Sequence, residues 1–285
     1  MNQSILNDYI CRIEADLREN ILPFWINRVV DHDNHSFFGS LANDLTVDPG
    51  AERGPVLTSR ILWTYSAAYT RYRDQAYLAM ADHAYGDLQS HFHDPEHGGY
   101  WWSIASDGSV VHGHKQVLGQ AFAIYALAEY QAATGRREPL DQAIATFRLI
   151  ERNAAARHGG YLDAVSRAWE PISDMRLSGA DLNAPKSQDT HLHVMEAYTR
   201  LLTVWPEQAL RSALGKVVDV MLDHIVNPLT GHARKIVTAA LNNLVTRNLV
   251  PRYQVRSDNI ESIRLAESAG LQEFLQMDHF VVNSG

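Results

Sequence analysis

One cysteine, Cys11, stands in 285 residues, so no internal disulfide and no thiolate metal cage can form. That scarcity agrees with a reducing cytoplasm, which is the expected location. A run of about 18 uncharged apolar residues, the minimum for a membrane-spanning helix, occurs nowhere. The start, Met1-Asn2-Gln3-Ser4-Ile5-Leu6-Asn7-Asp8, lacks a basic stretch followed by an apolar one. Neither an anchor nor an export signal is expected, and no membrane partner. Positive charge is also in short supply, with 25 Lys and Arg against 33 Asp and Glu and a formal net charge of -8. Such a balance offers no global attraction for phosphate backbones or anionic lipid, so nucleic acid is not expected as a partner and a neutral substrate fits better. What remains is ordinary for a globular chain: 46% hydrophobic and 20% charged residues, enough for one large core or two modest ones.

Along the chain the dominant signal is helical. Residues 3–29 read as an amphipathic helix with Ile5, Tyr9, Ile13, Leu17 and Ile21 on one stripe, broken or bent at Pro23. Helical patterns follow at Leu57 to Tyr72, Asp74 to His91, His114 to Thr134, Leu140 to Ala156 and Glu207 to Ile225, with Gly135 closing the fourth of these six. Between them a loop recurs. Asn34-His35-Ser36-Phe37-Phe38, Glu96-His97-Gly98-Gly99-Tyr100 and Arg157-His158-Gly159-Gly160-Tyr161 each carry a histidine, small residues and an aromatic, the histidines 62 and 61 residues apart. Two helices and a short turn, repeated, predict an all-α array in which helix pairs bury apolar faces against their neighbours.

One stretch concentrates polar side chains. Asp189 can cap a helix from Thr190 to Trp205, which Pro206 ends. Leu192, Met195, Tyr198, Leu202 and Trp205 form its apolar stripe; His193, Glu196 and Arg200 share a neighbouring polar face. A solvated helix with a capped start explains the same pattern. The segment Asp189-Thr190-His191-Leu192-His193 nevertheless resembles the opening of a helix in the N-acylglucosamine 2-epimerase family, most closely its cellobiose 2-epimerase members. Four further segments fall in the family's order: Asn20-Ile21-Leu22-Pro23-Phe24-Trp25, Ser59-Arg60-Ile61-Leu62-Trp63-Thr64-Tyr65-Ser66, Gly98-Gly99-Tyr100-Trp101-Trp102 and Gly119-Gln120-Ala121-Phe122-Ala123-Ile124-Tyr125-Ala126-Leu127. The resemblance covers about residues 5–231 and implies an incomplete (α/α)6 toroid-like array; ring closure and the six-hairpin count come from the family alone.

The resemblance further implies epimerisation or isomerisation of a small-molecule carbohydrate without a cofactor, by removing and returning a proton at C2. Such chemistry needs two acid/base groups titrating near neutrality, a cation or donor for the enediolate oxygen, and aromatic faces for the sugar ring. By resemblance Arg60 contacts the reacting oxygens, His193 orients substrate near C1 and C2, and Phe122 lines the pocket. Asp189, Trp63 and Tyr100 are taken as further substrate-binding candidates, although Phe122 and Trp63 suit plain core equally well and some of Tyr100, Trp101 and Trp102 should pack beneath the cleft. His191, two residues from His193, must face elsewhere and is read as structural. His91, His93, Asp94 and His97 resemble a metal cluster only superficially, and no metal is assigned.

Departures limit what the resemblance carries. Asp189 replaces the family's asparagine and Leu118 a frequent tyrosine, which leaves the sugar unspecified. The family's two proton-transferring histidines belong to motifs resembling His-Asp-Ile-Glu and Trp-Lys-x-x-Tyr-His, and neither occurs in the 285 residues. Little or no epimerase activity is therefore expected of this chain. An unclosed array would expose apolar helix faces and favour self-association. A noncatalytic saccharide-binding or assembly module is the alternative. Residues 232–285 read differently, as a short α/β tail: Gly231-His232-Ala233-Arg234, Tyr253-Gln254-Val255 and Asp258 to Leu271 resemble the second half of a Gcn5-related acetyltransferase. An acyl-coenzyme A N-acetyltransferase remnant is the third reading. The expected division is thus 1–231 and 232–285.

Overall fold

Helix start signals and apolar periodicity set the architecture. A computed structural model describes residues 3–179, 181 and 183–226. The chain falls into two units, residues 1–221 and 222–285; the acetyltransferase-like segment lies outside the described residues.

The chain opens with α1 (Gln3–Asp16), a π-helical turn (Leu17–Ile21) and α2 (Leu22–Arg28). The distortion predicted at Pro23 falls in the turn before it, because proline has no N–H to return to the preceding turn. Three helix pairs follow: α3 (Pro55–Tyr72) with α4 (Gln75–Asp87), α5 (Val117–Thr134) with α6 (Arg137–Asn153), and α7 (Gln188–Val204) with α8 (Gln208–Val220). Pro55 opens α3 where its missing donor costs nothing, Asp74 caps α4 by accepting from the Ala76 N–H, and Gly135 ends α5 at a φ of 72°.

Helix α5 is the centre. It packs against α3 on one side, α7 on the other and α6 behind, and is buried on nearly every face. Each large side chain in this core, such as Tyr65, Leu127, Phe147 or Tyr198, contributes roughly 1.5–3 kcal/mol by leaving water. Short antiparallel ladders connect the helices: β1 (Val30–Asp31) with β2 (Ser36–Phe37), β3 (Ser103–Ile104) with β4 (Val110–His112), and β5 (Lys115–Gln116) with β6 (Ala164–Val165). The third ladder corrects one expectation: α5 begins at Val117 rather than His114, because Lys115 and Gln116 give their backbone groups to β6.

The second and third of the recurring loops share one device. At Gly98 and Gly99 (φ 69° and 71°) the chain turns in the left-handed region, and a side chain on Gly99 would come within 2.6 Å of both Gln120 and Trp169. The following Tyr100 N–H donates to Gln120 Oε1 at 2.8 Å; one repeat later the Tyr161 N–H, after Gly159-Gly160, donates to His191 Nε2 at 3.1 Å. Gln120 and His191 occupy the same position, three residues past the start of α5 and α7. Beneath the Gly98-Gly99 loop, Asp94 accepts from the fully buried Lys115 at 2.8 Å and from Arg167, and both cations flank the Trp101 ring. Burial alone would raise the Asp94 carboxyl, but the hydrogen bonds from Arg167 and Lys115 outweigh it and hold it well below the usual carboxylate range.

Candidate functional site

Helices α3, α5 and α7 run side by side in register, so residues equally far from each start share a level. Arg60, Phe122 and His193 each lie five residues past the first residue of their helix. They meet. The Arg60 guanidinium sits 4.8 Å from the Phe122 ring centre, and the His193 imidazole 4.4 Å from it at 41°. Positions eight residues in are Trp63, Tyr125 and Glu196: Trp63 stacks on Tyr125 at 5.3 Å and 11°, and Glu196 is a charge raising the Tyr125 phenol, after burial. Twelve residues in, Arg200 binds Glu129 across α5 and α7 at 2.5 Å. Offsets of five, eight and twelve fall on one helix face, whereas an offset of three points away, toward the loops.

His193 lies between two carboxylates. Its Nδ1 lies 2.7 Å from Glu196 Oε2 and its Nε2 3.5 Å from Asp189 Oδ1, carboxylates one turn to either side on the same helix. The ring keeps 17% of its side-chain surface, while Glu196 and Asp189 keep about half of theirs, so this face is open to solvent. The Trp63 indole N–H is buried with no hydrogen-bond partner among the described residues. A cation, an imidazole and apolar ring faces on one level can grip a polyol through its oxygens and its C–H face together. Among the described residues, this level carries one imidazole; proton abstraction from one face and return to the other calls for two groups.

Two candidates stand elsewhere or differently. Tyr100 is not brought to the cluster: it is fully buried beneath its Gly-Gly turn, its hydroxyl accepting from Gln89. Asp189 is not the cap of α7. Ser187, in extended conformation, accepts the Thr190 N–H at 3.2 Å, so α7 begins at Gln188 and Asp189 sits inside its first turn. The buried stripe of α7 is also rotated from the expected one, to Thr190, His191, Val194, Ala197, Tyr198 and Leu201, with Tyr198 alone shared. Hydrophobicity misplaced it because His191 is core. His191 Nδ1 meets the Ser187 carbonyl at 2.6 Å and Nε2 accepts from Tyr161, so the neutral Nδ1–H form fits, and burial pushes its pKa down.

The superficial metal cluster disperses: His91 binds Asp87 at 2.8 Å and Asp94 is occupied by Lys115 and Arg167. Tyr125 and Glu129 were not singled out from sequence. A glutamate within the apolar run of α5, level with Arg200 on α7, was the available signal for the second.

Comparison with known proteins places these features. The family model described as N-acylglucosamine 2-epimerase (GlcNAc 2-epimerase) matches residues 36–235. A cellobiose 2-epimerase of Bacteroides fragilis is 38% identical over 221 residues, 77% of this chain and 56% of that protein. One from Eubacterium cellulosolvens is 37% identical over 214 residues, 75% of this chain and 52% of that protein. The chain thus spans about half the length of these relatives. Among solved structures, the cellobiose 2-epimerase of Spirochaeta thermophila superposes with a TM-score of 0.74 at 37% identity, covering 79% of this chain and 56% of the other. A D-mannose isomerase at 21% identity and a TM-score of 0.62 shares the fold.

Proposed function

Because the chain belongs to the N-acylglucosamine 2-epimerase family, we propose that the shared face of α3, α5 and α7 binds an aldose around C1 and C2. Arg60 and His193 take the sugar oxygens; Phe122 and Trp63 take its apolar ring face. The observation that carries this reading is the convergence of Arg60 and His193 on the single Phe122 ring from separate helices. A guanidinium here donates paired hydrogen bonds to neighbouring oxygens and stabilises negative charge on an enediolate. His193 orients the oxygen at C1 or C2 and is the one imidazole on this level among the described residues.

The substrate class follows from relatives named cellobiose 2-epimerase, with cellobiose as the first sugar to test. Binding should exceed turnover. Neither acid/base motif that the family places downstream occurs in the 285 residues, and loss of a proton-transferring group costs about 10²–10⁴-fold in rate.

Titration of the full chain with cellobiose, mannose and N-acetylglucosamine, followed by protein NMR, is expected to show binding of at least one. Arg60→Ala and His193→Ala should each weaken it by about tenfold or more. Binding of none would remove the sugar site. Exchange of the C2 proton in heavy water is expected to be slow or absent, and rapid exchange abolished by His193→Ala would overturn the predicted impairment.

A further inference from the structure

A histidine that must present one particular nitrogen to a ligand needs something to hold the other, because a free imidazole populates both tautomers and rotates about its side-chain bonds. In the face formed by α3, α5 and α7 the holding group is visible. Glu196 lies one turn after His193 on α7, with its Oε2 2.7 Å from Nδ1. The imidazole is fixed on a second side by the Phe122 ring at 4.4 Å. Nε2 faces the start of the helix, and the nearest acidic oxygen to it is Asp189 Oδ1 at 3.5 Å, beyond ordinary hydrogen-bond reach.

We propose that Glu196 is the positioning residue of His193: it accepts the Nδ1–H and thereby makes Nε2 the nitrogen offered to a sugar oxygen. The inference rests on the sugar-binding reading for the identity of the ligand, but not for the tautomer. Glu196 touches no reacting atom itself. Tyr125 of α5, stacked on Trp63, lies near enough for the Glu196 charge to raise its phenol, and the Glu129–Arg200 pair lies one level deeper. Asp189 supplies the contrast. Its carboxylate can only accept, as can Nε2 in the Nδ1–H form, so Asp189 makes no hydrogen bond to that nitrogen and leaves it free to accept from a sugar hydroxyl.

The test is long-range proton–nitrogen NMR of the histidine rings in the full chain at about pH 8, with the His193 signals identified by their loss in His193→Gln. The Nδ1–H form is expected in the unmodified chain. Glu196→Ala should shift His193 toward the Nε2–H form that is commoner in free imidazole, while Glu196→Gln, which retains an acceptor oxygen, should restore Nδ1–H. Circular dichroism should be unchanged for both, since the Glu196 side chain is 44% exposed. An Nε2–H ring in the unmodified chain, or a tautomer indifferent to Glu196→Ala, would overturn the proposal. In the sugar titration Glu196→Ala should weaken affinity roughly tenfold and Glu196→Gln should recover most of it. Because the tautomer is read without sugar, failure of the sugar-binding reading and failure of the Glu196 assignment give different results.

Discussion

At the scale of single residues, the two histidines of the Asp189-Thr190-His191-Leu192-His193 segment do opposite work. His191 is spent on structure, accepting the Tyr161 N–H as Gln120 accepts that of Tyr100. Since its folded pKa lies below the ordinary 6.5, the unfolded chain binds protons more readily. Its contribution to stability is therefore complete above about pH 6.5 and is lost as pH falls toward the folded value. His191→Gln, which copies the residue used one repeat earlier, is expected to flatten the acid limb of a thermal-melt series between about pH 7 and 5. Gly160 cannot change. Its φ of 70° favours glycine, and a side chain would run into His191 Nε2, so Gly160→Ala should cost about 2 kcal/mol or more in urea unfolding.

At the scale of elements, the start of α7 decides which polar side chain matters for folding and which for the site. Ser187 receives the Thr190 N–H, so Ser187→Ala should destabilise by about 1 kcal/mol. Asp189→Asn should cost only a few tenths, the loss of a favourable charge in the first turn, while altering sugar affinity through its place beside His193. Equal losses from both substitutions in chemical denaturation would mean the two share the cap. Asn replaces Asp without loss of shape, which separates charge from packing.

At the scale of the molecule, α1 carries an apolar face with little to cover it among the described residues: Ile5, Tyr9, Ile10 and Ile13 are each at least half exposed, Ile13 to 67%. Faces of this kind associate. Sedimentation velocity is expected to show self-association rising with concentration, reduced by Ile10→Glu with Ile13→Glu, and a monodisperse monomer throughout would refute it. The helix pairs were legible in the sequence because their boundaries are local: Pro55, Asp74, Gly135 and Pro206 act on the turn in which they sit. Two of the three repeated loops were legible for the same reason, being imposed by the left-handed glycines at 98–99 and 159–160. Arg60, Phe122 and His193 could be named from resemblance and from residue type. That they stand on one level could not, because their depth depends on the relative starts of three helices brought side by side by packing. The burial of Tyr100, the Ser187 cap and the core role of His191 were likewise decided by neighbours distant in the chain. The sequence by itself determined which segments are helical and which family they belong to, since periodicity and capping are short-range. Only the tertiary structure decided which polar side chains face a common space, because that follows from the register between helices, and register is set by burial of whole faces rather than by any one motif.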